Sequence, residues 1–530
     1  METSLNLQYL QAEGGDFCDA QVLNFLKYGF PCNYEGTGSG AIAAQNHKGA
    51  RDFPEAIQSY LDTEFSHKAV IGPFSKNPFH VPCYINPLNT VPKRDSDARR
   101  VIVDLSFPKG RSVNSDIPKD TYIGEIFSLK FPSVDALVEL VKKKGPGCAL
   151  FKRDLRRAYR QLPVDPGDIH LLGYQWDGQF YFDIRLPMGL RSAALCCQRF
   201  TNLLAHICRK QSIEVVNYLD DFLSAETWSL AEESFLGLGA VLLQAGAEEA
   251  AEKASPPACQ MIALGIMFDT VNLTLTITPD RLQEIAQILE DWGERRSASR
   301  HDLQVLLGKL QFAACCVRPG RIFVSRLLNF LRQTPESGQV DIPQEAQLDI
   351  KWWQLFMPSY NGVSMMPWDG WCKPDSVVAS DACLTGCGGC ANGEYFACQF
   401  PECIASLSLD INALELLSIV VAAKLWGDRW KGKRILLYCD NTTSVNVLNS
   451  GAARNVFLQT CLREICLLAA QYEFEIRAQH IAGVRNRQAD LCSRMHLSED
   501  YRRSFLESNR TWLLQERKVP DHFFLFSHTW

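Results

Sequence analysis

The sequence predicts a multidomain chain that mixes α+β and α/β architecture. Three observations lead there. The 530 residues exceed what one hydrophobic core organises, so about three to four domains are expected. Short apolar runs that end in Asp recur in both halves, with helical stretches between them, and read as strands and helices of layered sheets. Residues Thr278 to Arg332 keep a helical period and open on Thr278-Pro279-Asp280, a cap residue followed by Pro at the first helical position.

In chain order, the first informative run is Cys148-Ala149-Leu150-Phe151-Lys152-Arg153-Asp154, apolar and ending in an acid, with Leu155 to Tyr159 continuing as a helix start. An Asp at a strand end is ordinarily an N-cap. This one lies 66 residues before Asp220, with the apolar segment Phe180 to Leu190 between them. Tyr218-Leu219-Asp220-Asp221 sits between Val215-Val216 and Phe222-Leu223, the pattern of a β-hairpin whose turn is two adjacent carboxylates. Adjacent acids repel and gain nothing from burial, so the pair persists most easily around a divalent cation; the alternative is a solvated turn. With Asp154 they form a set able to hold two such ions, as phosphoryl-transfer sites do.

A second set of acids fills the C-terminal part. Ser376-Val377-Val378-Ala379-Ser380-Asp381 and Arg434-Ile435-Leu436-Leu437-Tyr438-Cys439-Asp440 are strands ending in Asp. Asn412-Ala413-Leu414-Glu415 opens an apolar helix that runs to about Trp426. Glu473 to Arg477 alternates as a half-buried strand and leads to His480, ten residues before Asp490. Strand-end acids and one helical Glu gather at one sheet edge in such an order, although each alone reads equally as a cap or a solvated acid.

Composition bounds the class. Hydrophobic residues at 46% and charged residues at 22% describe a globular protein. The start Met1-Glu2-Thr3-Ser4 is neither basic nor apolar, unlike a signal peptide, and no apolar stretch is long enough to span a bilayer. The twenty cysteines fall mostly within predicted strands and helices, as at Cys196-Cys197 and Cys315-Cys316. Reduced thiols in an intracellular compartment, cytoplasmic or nuclear, are therefore expected. Cys383, Cys387, Cys390, Cys398 and Cys403 form a cluster that reads as packed small thiols in a hairpin rather than a zinc site. Net charge is −6, but eight basic residues accompany only Asp154 between Lys142 and Arg160, and six acids with no Lys or Arg lie between Glu226 and Glu252. A basic face and an acidic back are expected, suited to a nucleic-acid backbone.

These motifs together resemble a reverse transcriptase followed by a ribonuclease H, over roughly residues 20 to 497. Leu150 to Tyr159 looks like the first palm motif, Leu186-Pro187-Met188-Gly189-Leu190 like the L-P-x-G segment, Tyr218 to Asp221 like the Y-x-D-D box, and Leu264-Gly265 like the pair near the primer grip. Val91-Pro92-Lys93-Arg94-Asp95 with Arg99 to Leu105 resembles the fingers, and Leu307 to Ala313 with Arg318-Pro319-Gly320 the thumb. Asp381, Glu415, Asp440 and Asp490 resemble the ribonuclease H site.

The resemblance implies a right-hand polymerase fold of fingers, palm and thumb, then a ribonuclease H-like domain. It divides the chain into an N-terminal extension (1–65), fingers and palm (66–275), helical thumb (276–332), connector (333–372), ribonuclease H-like domain (373–497) and a tail (498–530). The segment Asn24 to Pro31 and the tail carry no chemistry readable from sequence. The resemblance implies two Mg²⁺ or Mn²⁺ at each site, held by Asp154, Asp220 and Asp221 in one and by Asp381, Glu415, Asp440 and Asp490 in the other, with His480 on a loop that aids turnover. Lys93 and Arg100 match triphosphate-binding positions, and Tyr159 the aromatic gate against a 2′-hydroxyl. Met188 departs from the Gln that touches the nucleotide in retroviral enzymes. Gly308, Lys309, Gln311 and Phe312 match a helix that tracks the template–primer. Implied partners are an RNA template, a DNA primer, their hybrid and deoxynucleotides. Gly72-Pro73-Phe74, Leu105 to Gly110 and Phe25 to Phe30 look like the DIRS-type retrotransposons, whose polymerase works with a tyrosine recombinase, here a separate chain or lost. A different class of reading, a decayed copy serving as a non-catalytic nucleic-acid scaffold, predicts damaged acids; all seven are present.

Overall fold

The computed structural model describes residues 3–36, 45–93, 98–126, 131–365, 374–451, 453, 455–510, 514–528 and 530. Arg94 and Asp95 of the fingers motif, residues 366–373 of the connector region and the Arg318 side chain lie outside them. The fold class is the one expected, multidomain α+β and α/β with a polymerase palm and a ribonuclease H-like sheet. The chain forms two compact units, Met1–Met261 and Ile262–Trp530.

The palm sheet of the first unit is antiparallel, in the order Ser255–Ala258, Ala149–Asp154, Asp221–Glu226, Val216–Tyr218. The Ala193–Lys210 helix inserts Cys196, Cys197, Phe200, Leu203, Leu204 and Ile207, all fully buried, into the core beneath it. That spacing is the apolar stripe of a core-facing helix. The fingers strands Leu88–Pro92 and Arg99–Val103 pair antiparallel.

Residues 29–33, which carry no sequence-readable chemistry, form a strap. Gly29 sits at φ +113°, and a Cβ there would lie 2.5 Å from the Asp165 backbone, so only glycine fits. Phe30 N donates to Pro163 O, and the Ser192 hydroxyl donates to Cys32 O. Cys32 N donates to Asp168 at 2.6 Å. From the other side Tyr122 Oη donates to Pro31 O and Ile123 N to Asn33 Oδ1. The strap therefore joins the palm to the 121–123 turn.

The basic stretch Lys142–Arg160 is not the open face expected. Lys144 pairs with Glu226, Arg153 with Glu249 and Arg156 with Glu252. The acidic run is thus the partner of the basic one, because antiparallel pairing of Ala149–Asp154 with Asp221–Glu226 folds the two stretches together. Arg160 is buried between Glu64 (2.6 Å) and Asp183 (2.8 Å), and it also donates to Arg185 O. Burial pushes the Asp183 carboxyl up to about 6 although Arg160 pulls it down.

In the second unit the helices Pro279–Gly293, Arg300–Ala313 and Arg321–Gln333 lie in the predicted helical stretch, and a fourth, Gln344–Phe356, lies in the segment read as a connector. Their core centres on Trp352, stacked near Phe323 (4.5 Å) and Phe356 (5.4 Å). A six-stranded sheet follows, ordered Glu475–His480, Arg434–Cys439, Ser376–Cys383, Gly386–Ala391, Glu394–Gln399, Gln515–Glu516. Three strands meander antiparallel and the next two add parallel to the first, which is the ribonuclease H topology. The Ile411–Trp426 helix is apolar on every face because it is buried between the sheet and the Val456–Gln471 helix.

The tail completes this unit. Phe505 packs on Tyr395 at 4.7 Å, Gln515–Glu516 adds the sixth strand, and Ser527 and Trp530 donate to Glu464, which is fully buried beside Lys424. All nineteen described cysteines are free thiols. Cys387 and Cys398 are register partners with sulfurs 3.5 Å apart, while Cys390 meets Cys492 at 3.7 Å. Positions 387 and 390 on one strand face opposite sides of the sheet, so the C-x-x-C thiols diverge.

Removing Arg160 would leave the fully buried Asp183 carboxylate without its counter-charge, while Glu64 would keep Arg157 at 2.7 Å. Arg160→Ala is expected to lower the stability of the first unit by about 3–5 kcal/mol, read from the urea midpoint of its unfolding transition.

Candidate functional site

The first candidate site is built on the palm hairpin. Asp221 and Asp154 are register partners on adjacent strands, and Asp221 also pairs with Tyr218. The turn proper is therefore Leu219-Asp220, and Asp221 already belongs to the strand. Leu219 adopts φ +52°, an uncommon conformation for a branched side chain. Two bonds hold it: Gln198 Oε1 accepts from Leu219 N at 2.9 Å, and Asp220 O accepts from Leu155 N at 2.9 Å. The same Gln198 amide donates to Asn217 O. Gln198 is a buried polar residue on an otherwise apolar helix face, which is the sequence signal that marks it.

Gathering these acids has an electrostatic cost. Burial, then the charge of Asp220 and that of Asp154, pushes the Asp221 carboxyl up to about 6. Burial also raises Asp220, against backbone hydrogen bonding. Lys253 reaches Asp154 at 2.9 Å and supplies one counter-charge. It is the first cation after the Glu226–Glu252 acidic run, a signal the motif reading passes over.

A cleft of about 1080 Å³ opens here, lined by Lys93, Arg100, Tyr159, Met188, Asp220 and Lys253. All four candidate nucleotide-binding residues thus share one cleft with a candidate catalytic acid. Arg99 is occupied, donating to Thr90 Oγ1 and lying 3.6 Å over the Phe53 ring. Lys93 and Arg100 have no side-chain partner among the described residues. Met188 is 56% exposed and offers the cleft an apolar surface.

In the second unit the structure brings Asp381, Glu415, Asp440 and Asp490 to one edge of the six-stranded sheet. Asp381 lies in Ser376–Cys383, Asp440 follows Arg434–Cys439, Glu415 projects from the buried helix and Asp490 from the Arg487–Arg494 helix. Ala382 N donates to Glu415 at 3.2 Å, the Ser493 hydroxyl to Asp381 at 2.6 Å, and Arg494 to Asp490 at 2.7 Å. His480 ends its strand as the register partner of Cys439 and is exposed, beside the strand that delivers Asp440. Burial, with Asp440 and Asp490 adding to it against the Ser493 bond, lifts the Asp381 carboxyl to about 7. Burial and the Asp381 charge lift Glu415 to about 9.

Of the candidate thumb residues, Lys309 is tied to Glu284 and Phe312 packs beside Gly265 under Arg281. Gln311 is exposed, and no atom lies within 4 Å of a Cβ built on Gly308.

Both acid sets fit hard divalent cations. Their donors are carboxylate oxygens, which suit Mg²⁺ and Mn²⁺, and they hold more acids than neighbouring cations. Glu415, Cys439 and Asp440 bring ligand atoms within 4.8 Å of one another. Burial and the Glu415 charge push the Cys439 thiol up, which favours its protonated form in the metal-free fold.

The raised carboxyls set a pH dependence. The protonated forms of Asp381 and Glu415 suit the metal-free fold, so their contribution to stability is complete below the ordinary carboxylate range of about 4. It is lost as pH rises through about 7 and then about 9. In chelator, the melting temperature of the second unit is expected to fall between about pH 5 and pH 9, and Mg²⁺ to flatten that fall and release protons on binding. Calorimetry at stepped pH checks this; a melting temperature that climbs across the interval contradicts it.

No family model and no curated protein matches the chain. Among solved structures it is similar to a foamy viral protease-reverse transcriptase dRH in complex with double-stranded DNA, at 17% identity over 91% of this chain and 83% of that one, TM-score 0.49. It is likewise similar to the foamy viral protease-reverse transcriptase with double-stranded DNA, at 18% identity over 91% and 98%, TM-score 0.48. A third similar structure is that protease-reverse transcriptase with an RNA/DNA hybrid, at 16% identity over 89% and 62%, TM-score 0.44.

Proposed function

We propose that the chain is an RNA-directed DNA polymerase with ribonuclease H activity, which copies a retroelement RNA and degrades the RNA strand of the resulting hybrid. One observation carries the reading: Asp220, beside the paired Asp154 and Asp221, lines a cleft that also holds an aromatic ring and two cations, Lys93 and Arg100, that are unpaired among the described residues. That is the equipment nucleotidyl transfer needs, a place for metals beside a place for a triphosphate. A second, separate carboxylate set suits hydrolysis of a phosphodiester.

Asp154 and Asp220 would hold the cations of the first site with Asp221 in support, and Asp381, Glu415, Asp440 and Asp490 those of the second. When bound, Mg²⁺ or Mn²⁺ supplies Lewis acidity to the attacking and leaving oxygens. The chain's own residues do the rest. Lys93 offers the triphosphate a point charge and Arg100 a bidentate fork. Tyr159 bounds the sugar and would clash with a 2′-hydroxyl. Met188 meets the nucleotide without a hydrogen bond. Gly308, Lys309, Gln311 and Phe312 would follow the template–primer, with Lys309 exchanging Glu284 for phosphate. At the nuclease site the exposed His480 would assist product departure, and the 2′-hydroxyls and hybrid shape would be recognised. The DIRS-type motifs support a lineage whose polymerase works with a tyrosine recombinase.

The deciding experiment is one gel with two labels, an RNA template annealed to a DNA primer, with Mg²⁺ and deoxynucleotides. Asp220→Asn is expected to lose primer extension by about 10²–10³-fold and keep RNA cleavage; Asp440→Asn the reverse. Hybrid binding with neither reaction in folded wild-type protein would replace this reading by the non-catalytic scaffold. Tyr159→Val is expected to raise ribonucleotide incorporation about tenfold or more, the scale at which a pocket rejects a group by shape.

A further inference from the structure

Ser493 lies three residues after Asp490 on the Arg487–Arg494 helix and is fully buried. Its Oγ stands 2.6 Å from Asp381 Oδ2 and 2.9 Å from the Asp490 carbonyl oxygen. A hydroxyl has one proton to give. The shorter contact is the one to Asp381, so once that carboxylate is ionised to hold a cation the proton goes to its Oδ2. Sequence pattern explains how the helix comes so close. Asp381 is the register partner of Gly388, and a Cβ at Gly388 would lie 2.5 Å from Ser493 N and 2.4 Å from Cys492 Cβ. The absence of a side chain at Gly388 is therefore what lets the Ser493 hydroxyl reach the carboxylate.

The neighbouring residue makes a contrasting contact. Arg494 binds Asp490 at 2.7 Å, but both side chains are more than a third exposed, so that pair exchanges readily with solvent ions. The Ser493 bond is dry.

We propose that Ser493 is a positioning residue of the nuclease site: its hydroxyl engages Oδ2 of Asp381, leaves Oδ1 as the oxygen available to a divalent cation, and ties that carboxylate to the helix that carries Asp490. This rests on the two-metal reading above. Partners that orient a ligating carboxylate typically change metal affinity about 10–100-fold when removed.

The test uses the full chain with Asp154→Asn and Asp220→Asn, so that Mn²⁺ titrated by calorimetry reports the nuclease site. Ser493→Ala is expected to weaken Mn²⁺ binding by about 10–100-fold while its melting temperature in chelator stays near that of the parent. Ser493→Thr, which keeps the hydroxyl, restores most of the affinity. Hybrid cleavage by Ser493→Ala returns as Mn²⁺ is raised, which a merely structural defect would not do. Unchanged affinity in Ser493→Ala overturns the proposal, as does an equal loss in folded Ser493→Thr. A parent that takes up no Mn²⁺ at all, with Asp381→Asn indistinguishable from it, removes the two-metal reading and this inference together.

Discussion

Both candidate sites depend on backbone pairing that holds like charges together. Two carboxylates about 4 Å apart repel by about 4 kcal/mol at the effective dielectric of a protein surface. Side-chain packing alone does not resist that, because a surface Asp can simply rotate away. Asp154 and Asp221 face each other across six register pairs between Ala149–Asp154 and Asp221–Glu226. Each ladder bond contributes about 0.5–1.5 kcal/mol net, so the strand pair as a whole outweighs the repulsion at its end. Asp381 pairs with Gly388 on an antiparallel neighbour, and its strand pairs in parallel with the one that delivers Asp440. The strand acids are placed by the sheet, and burial, with the neighbouring charges adding to it, raises the carboxyls of Asp221 and Asp381.

Cations are then distributed by a simple rule. Those near the sheets are committed inside the protein: Lys144, Arg153 and Arg156 to the Glu226–Glu252 run, and Arg160 to Glu64 and Asp183. Lys253 and Arg494 each touch one acid of a candidate site from the solvent side. Lys93 and Arg100, at the fingers, are left unpaired among the described residues. A count of charge along the chain therefore misreads the field, since most cations of the basic stretch are paired with acids.

The carboxylates were legible in the sequence because each belongs to an element with its own signature. Asp154, Asp381 and Asp440 lie at or near the ends of apolar strands, and Glu415 rides a helix whose all-round apolarity announces burial. The strand holding Asp381 runs two residues past it, to Cys383, a detail no periodicity supplies. Ser493 was not legible, and Gln198 and Lys253 carried only faint signals, because each acts across the fold on a residue that sequence spacing does not relate to it. The tail was opaque for a similar reason: Gln515 and Glu516 form a strand only because Glu394 and Tyr395 offer an edge. Charge pairing between the basic and acidic stretches became visible only with strand register, which turns two distant runs into neighbours.

The Gly29–Asn33 strap bears on how the first unit is made. Its partners are distant in sequence, 136 residues from Cys32 to Asp168 and 160 from Cys32 to Ser192. Closing such loops is entropically slow, and topologies rich in them fold slowly. A ribosome adding roughly 5–20 residues per second needs roughly seven to thirty seconds to deliver those partners after the strap has emerged. Through that interval the strap can meet Tyr122 and Ile123 but lacks its palm partners, and Phe30, Pro31 and Cys32 stand partly uncovered. The emerging chain is thus most open to chaperones, and to misassociation with its own copies, well before any catalytic carboxylate has been placed.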